Sequence, residues 1–172
     1  MSTHTLILGL GNVLLADEAV GAAVIRRLES AADPAAPLRF LDGGTLSFTL
    51  AVPIAECPRL IVIDAAAMGD AAGSVRVFEG EAMDRQLRRH AKSVHEVSLA
   101  DLLDIARLTD SLPARRALIG IEPAMIDWGD ELTPAVAAAV PVALERVREL
   151  LARWDAADGA TEIGRASCRE RV

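Results

Sequence analysis

Short apolar runs alternating with amphipathic segments predict an α/β chain. The expected form is a three-layer α/β/α sandwich around a mostly parallel, five-stranded twisted sheet. Two observations carry this. Runs at 5–10, 38–41, 60–63 and 117–121 have strand length, and most of the stretches between them show helical spacing, the alternation that builds parallel sheets. The first three runs also leave through acids or glycines: Gly9-Leu10-Gly11 with Asp17 and Glu18 beyond it, Asp42-Gly43-Gly44, and Asp64. Ligands of parallel sheets sit outside the carboxyl ends of strands, so these carboxylates are expected to converge on one edge.

Taken in order, the first strand is closed by Gly9 and Gly11, which permit a sharp exit. Val20, Val24, Ile25 and Leu28 then recur at helical spacing, with Arg26, Arg27 and Glu29 between them, predicting a helix over 19–31. Asp33-Pro34 and Pro37 break it. The second strand ends in Asp42-Gly43-Gly44-Thr45, and a short helix limited by Pro53 follows within 46–54. The run 60–63 ends on Asp64. Val75, Val77 and Phe78 mark a fourth strand near an edge. Segment 79–94 is dense in arginine, holds Met83 and His90, and lacks periodicity; a mobile flap is expected there. Over 98–109, Leu99, Leu102, Leu103, Ile105 and Ala106 form an inward face behind Ser98 as N-cap. Strand 117–121 follows, and Thr133-Pro134 opens a last helix that reaches about Trp154 and should kink at Pro141.

The chain has 172 residues and a net charge of −7, which suits one domain over 1–155 and argues against a nucleic-acid surface. A local basic patch of Arg85, Arg88, Arg89 and Lys92 remains for docking an acidic partner. Cys57 and Cys168 are too few and too far apart for a disulfide framework or structural zinc, which fits the cytoplasm, and a monomer is the default expectation. Neither a leader nor a membrane span is expected. Residues 156–172 are read as a disordered tail. Residues 162–172 back-translate without gaps into a common short-read sequencing adapter and are read as non-biological.

Several chemistries are excluded by pattern. The third glycine of a dinucleotide-binding turn would fall at Leu14, and there is no Walker loop, nucleophile elbow or zincin helix. What remains is acid plus histidine. In Ser93-Val94-His95-Glu96, His95 is commonly the kind of residue that stays on the surface or beside a cap. Brought to the carboxyl edge, it would meet Glu18 and Asp64 in an N/O site with open positions, suited to a divalent transition metal such as nickel or zinc. Asp42 is a candidate catalytic carboxylate or an Asx turn. Asp17 is a second catalytic candidate, a cap, or a support for a ligand. His4 and His90 are read as solvated.

Six segments stand in the order and spacing of the hydrogenase maturation endopeptidases. They are Gly9 to Asn12 with Asp17 to Gly21, Asp42 to Thr45, Ile63-Asp64-Ala65, Ser93 to Glu96, Gly120-Ile121-Glu122-Pro123, and Leu132 to Val136. The chain resembles that family over about 5–152. The resemblance implies a cytoplasmic endopeptidase that trims the C-terminal extension of a nickel-iron hydrogenase large-subunit precursor after nickel insertion. Nickel would then be supplied by the substrate, with another divalent metal able to bind in isolation. The family's metal-contacting residues fall on Glu18, Asp64 and His95, and its Asp-Gly-Gly-Thr loop on Asp42 to Thr45, with Gly43, Gly44 and Thr45 at the substrate. Ser47 stands where family members often carry glycine, which bears on the local turn. The family is grouped with aspartic proteases, yet no proton-sharing carboxylate pair is identifiable in this sequence. The alternative reading is a non-catalytic nickel-sensing chaperone or scaffold for hydrogenase assembly.

Overall fold

The computed structural model describes residues 4–89 and 97–169, with side chains as far as 160. Strands β1 (Thr5–Gly9), β2 (Leu38–Asp42), β3 (Arg59–Ala65), β4 (Val75–Glu79) and β5 (Arg115–Ile121) form one sheet in the order β2-β1-β3-β5-β4. All neighbours are parallel except β4, which runs antiparallel to β5 at the edge. From β1 the chain crosses to β2 on one side, then returns to β3 on the other. The carboxyl ends of β1 and β3 therefore flank a topological switch point, where sheets of this kind open a crevice.

Alternation along the strands divides the core in two. Ile7, Ile61, Ile63 and Ile119 are fully buried beneath α1 (Val20–Ala31) and α5 (Pro134–Arg169). Leu6, Leu8, Leu60, Val62 and Leu118 point the other way, beneath α2 (Ala51–Glu56), α3 (Glu81–Arg89) and α4 (Leu99–Leu108). Each such side chain contributes roughly 1.5–3 kcal/mol on burial, so both layers are held by the sheet itself. This is the expected α/β/α sandwich. The helix α4 opens on the predicted Ser98 cap, completed by Asp101 as a capping box. Ile105 was expected inward but is partly exposed, because Leu102, Leu103 and Ala106 fill that face.

Two expectations are corrected. Residues 81–89 form a helix, not a flap. Glu81 and Asp84 lie in its first turn and Arg88 and Arg89 in its last, the signs that favour the helix dipole. Met83 is fully buried, and the Arg116 guanidinium of β5 grips Asp84 at 2.7 and 2.9 Å. The remainder of the expected flap, 90–94, lies outside the described residues. The last helix also runs past its expected end near Trp154, to Arg169. Asp155 and Asp158 tie its continuation to Arg59 (2.7 Å) and Arg115 (2.5 Å) in the sheet. Among the described residues no helix is long and apolar enough to cross a membrane.

Candidate active site

The exits of β1, β2 and β3 are laced together by the backbone. Leu10 N–H donates to Ile63 O (2.9 Å), Gly43 N–H to Gly9 O (2.8 Å), and Gly11 N–H to Gly44 O (2.9 Å). The glycines make this possible. Gly11 has φ of +126°, and a Cβ there would lie 1.8 Å from the carbonyl oxygen of Glu18. A Cβ on Gly21 would fall 2.3 Å from Leu10 O and 2.7 Å from Ile63 O, so the first turn of α1 sits directly against both strand ends. Glu18, on the 3₁₀ turn Ala16–Ala19 just before α1, is thereby brought beside the end of β3, where Asp64 stands.

A cavity of about 590 Å³ opens there. Glu18 and Asp64 both line it, as do Gly44 and Thr45 from the β2 exit, Gln86 and Leu87 from α3, and residues 97–100 at the start of α4. Both carboxylates are half-buried, with Val62 and Ile63 fully buried just behind Asp64. Two oxygen donors at the mouth of an apolar-walled cleft suit a hard or borderline divalent metal. Among the described residues no group of three or more His, Cys, Asp or Glu is arranged to hold such an ion. His95 lies outside the described residues, as do His90, Lys92 and Glu96.

The other sequence candidates are placed differently. Asp17 is fully buried, and the residues lining the cavity do not include it. Its carboxylate accepts N–H bonds from Ala124 (2.9 Å), Met125 (2.9 Å) and Thr133 (2.8 Å), together with the Thr133 hydroxyl at 2.9 and 3.0 Å. Four donors meet the roughly four lone-pair sites of a carboxylate, so its accepting capacity is spent. Burial raises its pKa, but the N–H groups of Thr133, Met125 and Ala124 and the Thr133 hydroxyl overcome that, and the net shift is downward. Asp42 is exposed at the end of β2. Its Oδ1 accepts the Gly44 N–H at 3.0 Å, an Asx turn, and Asp42 does not line the cavity. Gly43 packs behind the wall against Leu8 and Leu10. Ser47 Oγ meets Thr49 Oγ1 at 2.5 Å, stiffening the segment that follows Thr45. His4 is exposed. Of the basic patch, Arg85 pairs with Glu81 (3.7 Å) and Arg88 with Asp104 (3.0 Å).

Two residues given no role from the sequence belong to this site. Glu122 Oε2 accepts N–H bonds from Met68 (2.6 Å) and Asp70 (3.2 Å), pinning the loop that leaves Asp64. Its signal was its place in Gly120-Ile121-Glu122-Pro123, with no chemistry attached. Gln86 lines the cavity yet is 8% exposed, and its Nε2 is buried without a hydrogen-bond partner among the described residues. A polar residue amid arginines carries no such signal in sequence.

A family model described as hydrogenase maturation protease matches residues 22–150. The hydrogenase expression/formation protein HupD of Rhizobium leguminosarum bv. viciae is 33% identical over 162 residues, covering 94% of this chain and 80% of the relative. The hydrogenase 2 maturation protease of Escherichia coli (strain K12) is 34% identical over 143 residues, covering 83% of this chain and 87% of the relative. The solved structure of the E. coli hydrogenase maturating endopeptidase HybD superposes with a TM-score of 0.81 at 32% identity, over 87% of this chain and 93% of that one. With the sheet order, the switch-point cavity and these likenesses in agreement, the chain belongs to the hydrogenase maturation protease family.

Proposed function

We propose that this chain is the endopeptidase that removes the C-terminal extension of a nickel-iron hydrogenase large-subunit precursor after nickel has been inserted. The observation that carries the reading is the meeting of Glu18 and Asp64 on one cavity beside Gly44 and Thr45. Two carboxylates from two strand exits can complete the coordination of a nickel ion that the substrate already holds. His95 is the third candidate ligand; it precedes by two residues Val97, which lines the same cavity. In this reading nickel is part of the substrate, and a precursor without it binds poorly. In isolation another divalent metal can occupy the same donors.

A metal with an open position polarises a scissile carbonyl or lowers the pKa of water. The protein's own groups would do the rest. Gly44 and Thr45 face the peptide at the cavity rim. With the accepting capacity of Asp17 spent on four donors, the general base is Asp42 or one of the metal-contacting carboxylates. Among the described residues Cys57 is a buried free thiol, its pKa raised by burial, which supports the reading of a reducing cytoplasm. Intact-mass analysis of a precursor incubated with the wild type, Glu18→Gln, Asp64→Asn and His95→Ala tests the reading. Loss of a C-terminal peptide with the wild type alone supports it. Binding of an uncut precursor by the wild type would favour the chaperone reading instead.

A further inference from the structure

The lip of the cavity carries an apolar surface that the cleavage chemistry does not use. Trp128 is 77% exposed, and Val13, Leu14, Met125 and Ile126 are each close to half exposed. They come from two loops, one after β1 and one after β5, joined as a short bridge: Ala16 N–H donates to Gly129 O (2.8 Å) and Gly129 N–H to Leu14 O (3.0 Å). The loops are held rigidly. The Asn12 side chain accepts the Leu14 N–H, Ala16 takes a positive φ of 43°, and the buried Asp17 carboxylate bonds Ala124, Met125 and Thr133 at once. Backbone strain and a saturated buried charge thus hold large apolar side chains toward water, where they gain nothing in the free protein.

We propose that Val13, Leu14, Met125, Ile126 and Trp128 form the docking surface for the folded body of the large-subunit precursor, whose extension enters the adjoining cavity; this rests on the endopeptidase reading. Continuity carries the choice of occupant, since Ile126 and Asn12 line the cavity itself. Charge gives the occupant's chemistry. Asp127, Asp130 and Glu131 are exposed around the patch, and no Lys or Arg occurs in 10–25 or 121–145, so the fitting surface is apolar with a basic rim. A second copy of this chain fits poorly, because pairing two such patches brings like charges together. A tryptophan on a hydrogen-bonded loop is the residue type that dominates binding at such surfaces.

The test is a double variant, Leu14→Ser with Trp128→Ser, in the full chain. Both side chains are exposed, so its thermal midpoint should match the wild type. Titration against nickel-loaded precursor should show at least a tenfold rise in Kd, and the loss in cleavage should sit in KM. Asp130→Lys alone should weaken binding at low salt and less at high salt. Unchanged Kd and KM in the double variant would overturn the docking surface while leaving the protease reading intact. Wild type that binds the precursor without shortening it would sink the protease reading, and the double variant's Kd would still decide the docking surface. Wild-type self-association abolished by the double variant would give the patch to a second copy and overturn the proposal.

Discussion

At the exit of β1 two adjacent carboxylates meet different surroundings, and that difference predicts what each substitution does. Asp17→Asn places an NH₂ group against backbone N–H donors that now reach a carboxylate; the expected cost is roughly 2–3 kcal/mol, read from urea unfolding. Glu18→Gln, half-buried at the cavity, should leave stability within about 0.5 kcal/mol. Cleavage in that variant should fall by roughly a hundredfold or more. Gln86→Leu should do the reverse of a usual core change. Removing a buried donor that has no partner among the described residues should stabilise by about 1 kcal/mol, read from urea unfolding. The pairing of Glu18 with Asp64 was legible in the sequence because strand exits of a parallel sheet share an edge. The separation of Asp17 from Glu18 was not, since the donors that claim Asp17 come from Ala124, Met125 and Thr133, more than a hundred residues away.

At the level of elements, α3 and the far part of α5 depend on tertiary partners. The helix α3 has one narrow buried stripe of Met83, Gln86 and Leu87 among charges, too weak a period to read, and becomes legible only when Asp84 is seen on Arg116. Strands β1, β3 and β5 were legible because their central runs, Leu6–Leu8, Leu60–Ile63 and Ala117–Ile121, are apolar and buried on both faces. In α5, Asp155 and Asp158 supply the ion-pair partners of Arg59, which is 4% exposed and lies 5.5 Å from the Trp154 ring. Truncation after Trp154 should therefore strand a buried guanidinium and cost roughly 3 kcal/mol, whereas truncation after Thr161 should leave the thermal midpoint unchanged. That comparison also tests whether the adapter-like residues 162–172 matter to the fold.

For the whole molecule, acid stability follows from the buried Asp17 and the half-buried Asp84. Asp84 is held below the usual carboxylate pKa by its hydrogen bonds from Arg116, against the opposing pull of burial, and Asp17 is lowered by its N–H donors. Both take up a proton near their ordinary value of 3.8 when unfolded and only at lower pH when folded. Their contribution is thus fully present above about pH 5 and is lost as pH falls below 3.8 toward the depressed values. Urea midpoints should be flat with respect to these groups above that range and drop beneath it. Asp84→Asn should flatten the acid limb.

The central claim is that the cavity recognises nickel before any bond is cut. The most direct measurement is intact mass of the large-subunit precursor after incubation with this chain, with and without nickel loaded. The account predicts loss of one C-terminal peptide from the loaded form and none from the empty form. Equal cleavage of both would contradict it, because Glu18 and Asp64 would then act without reading the metal.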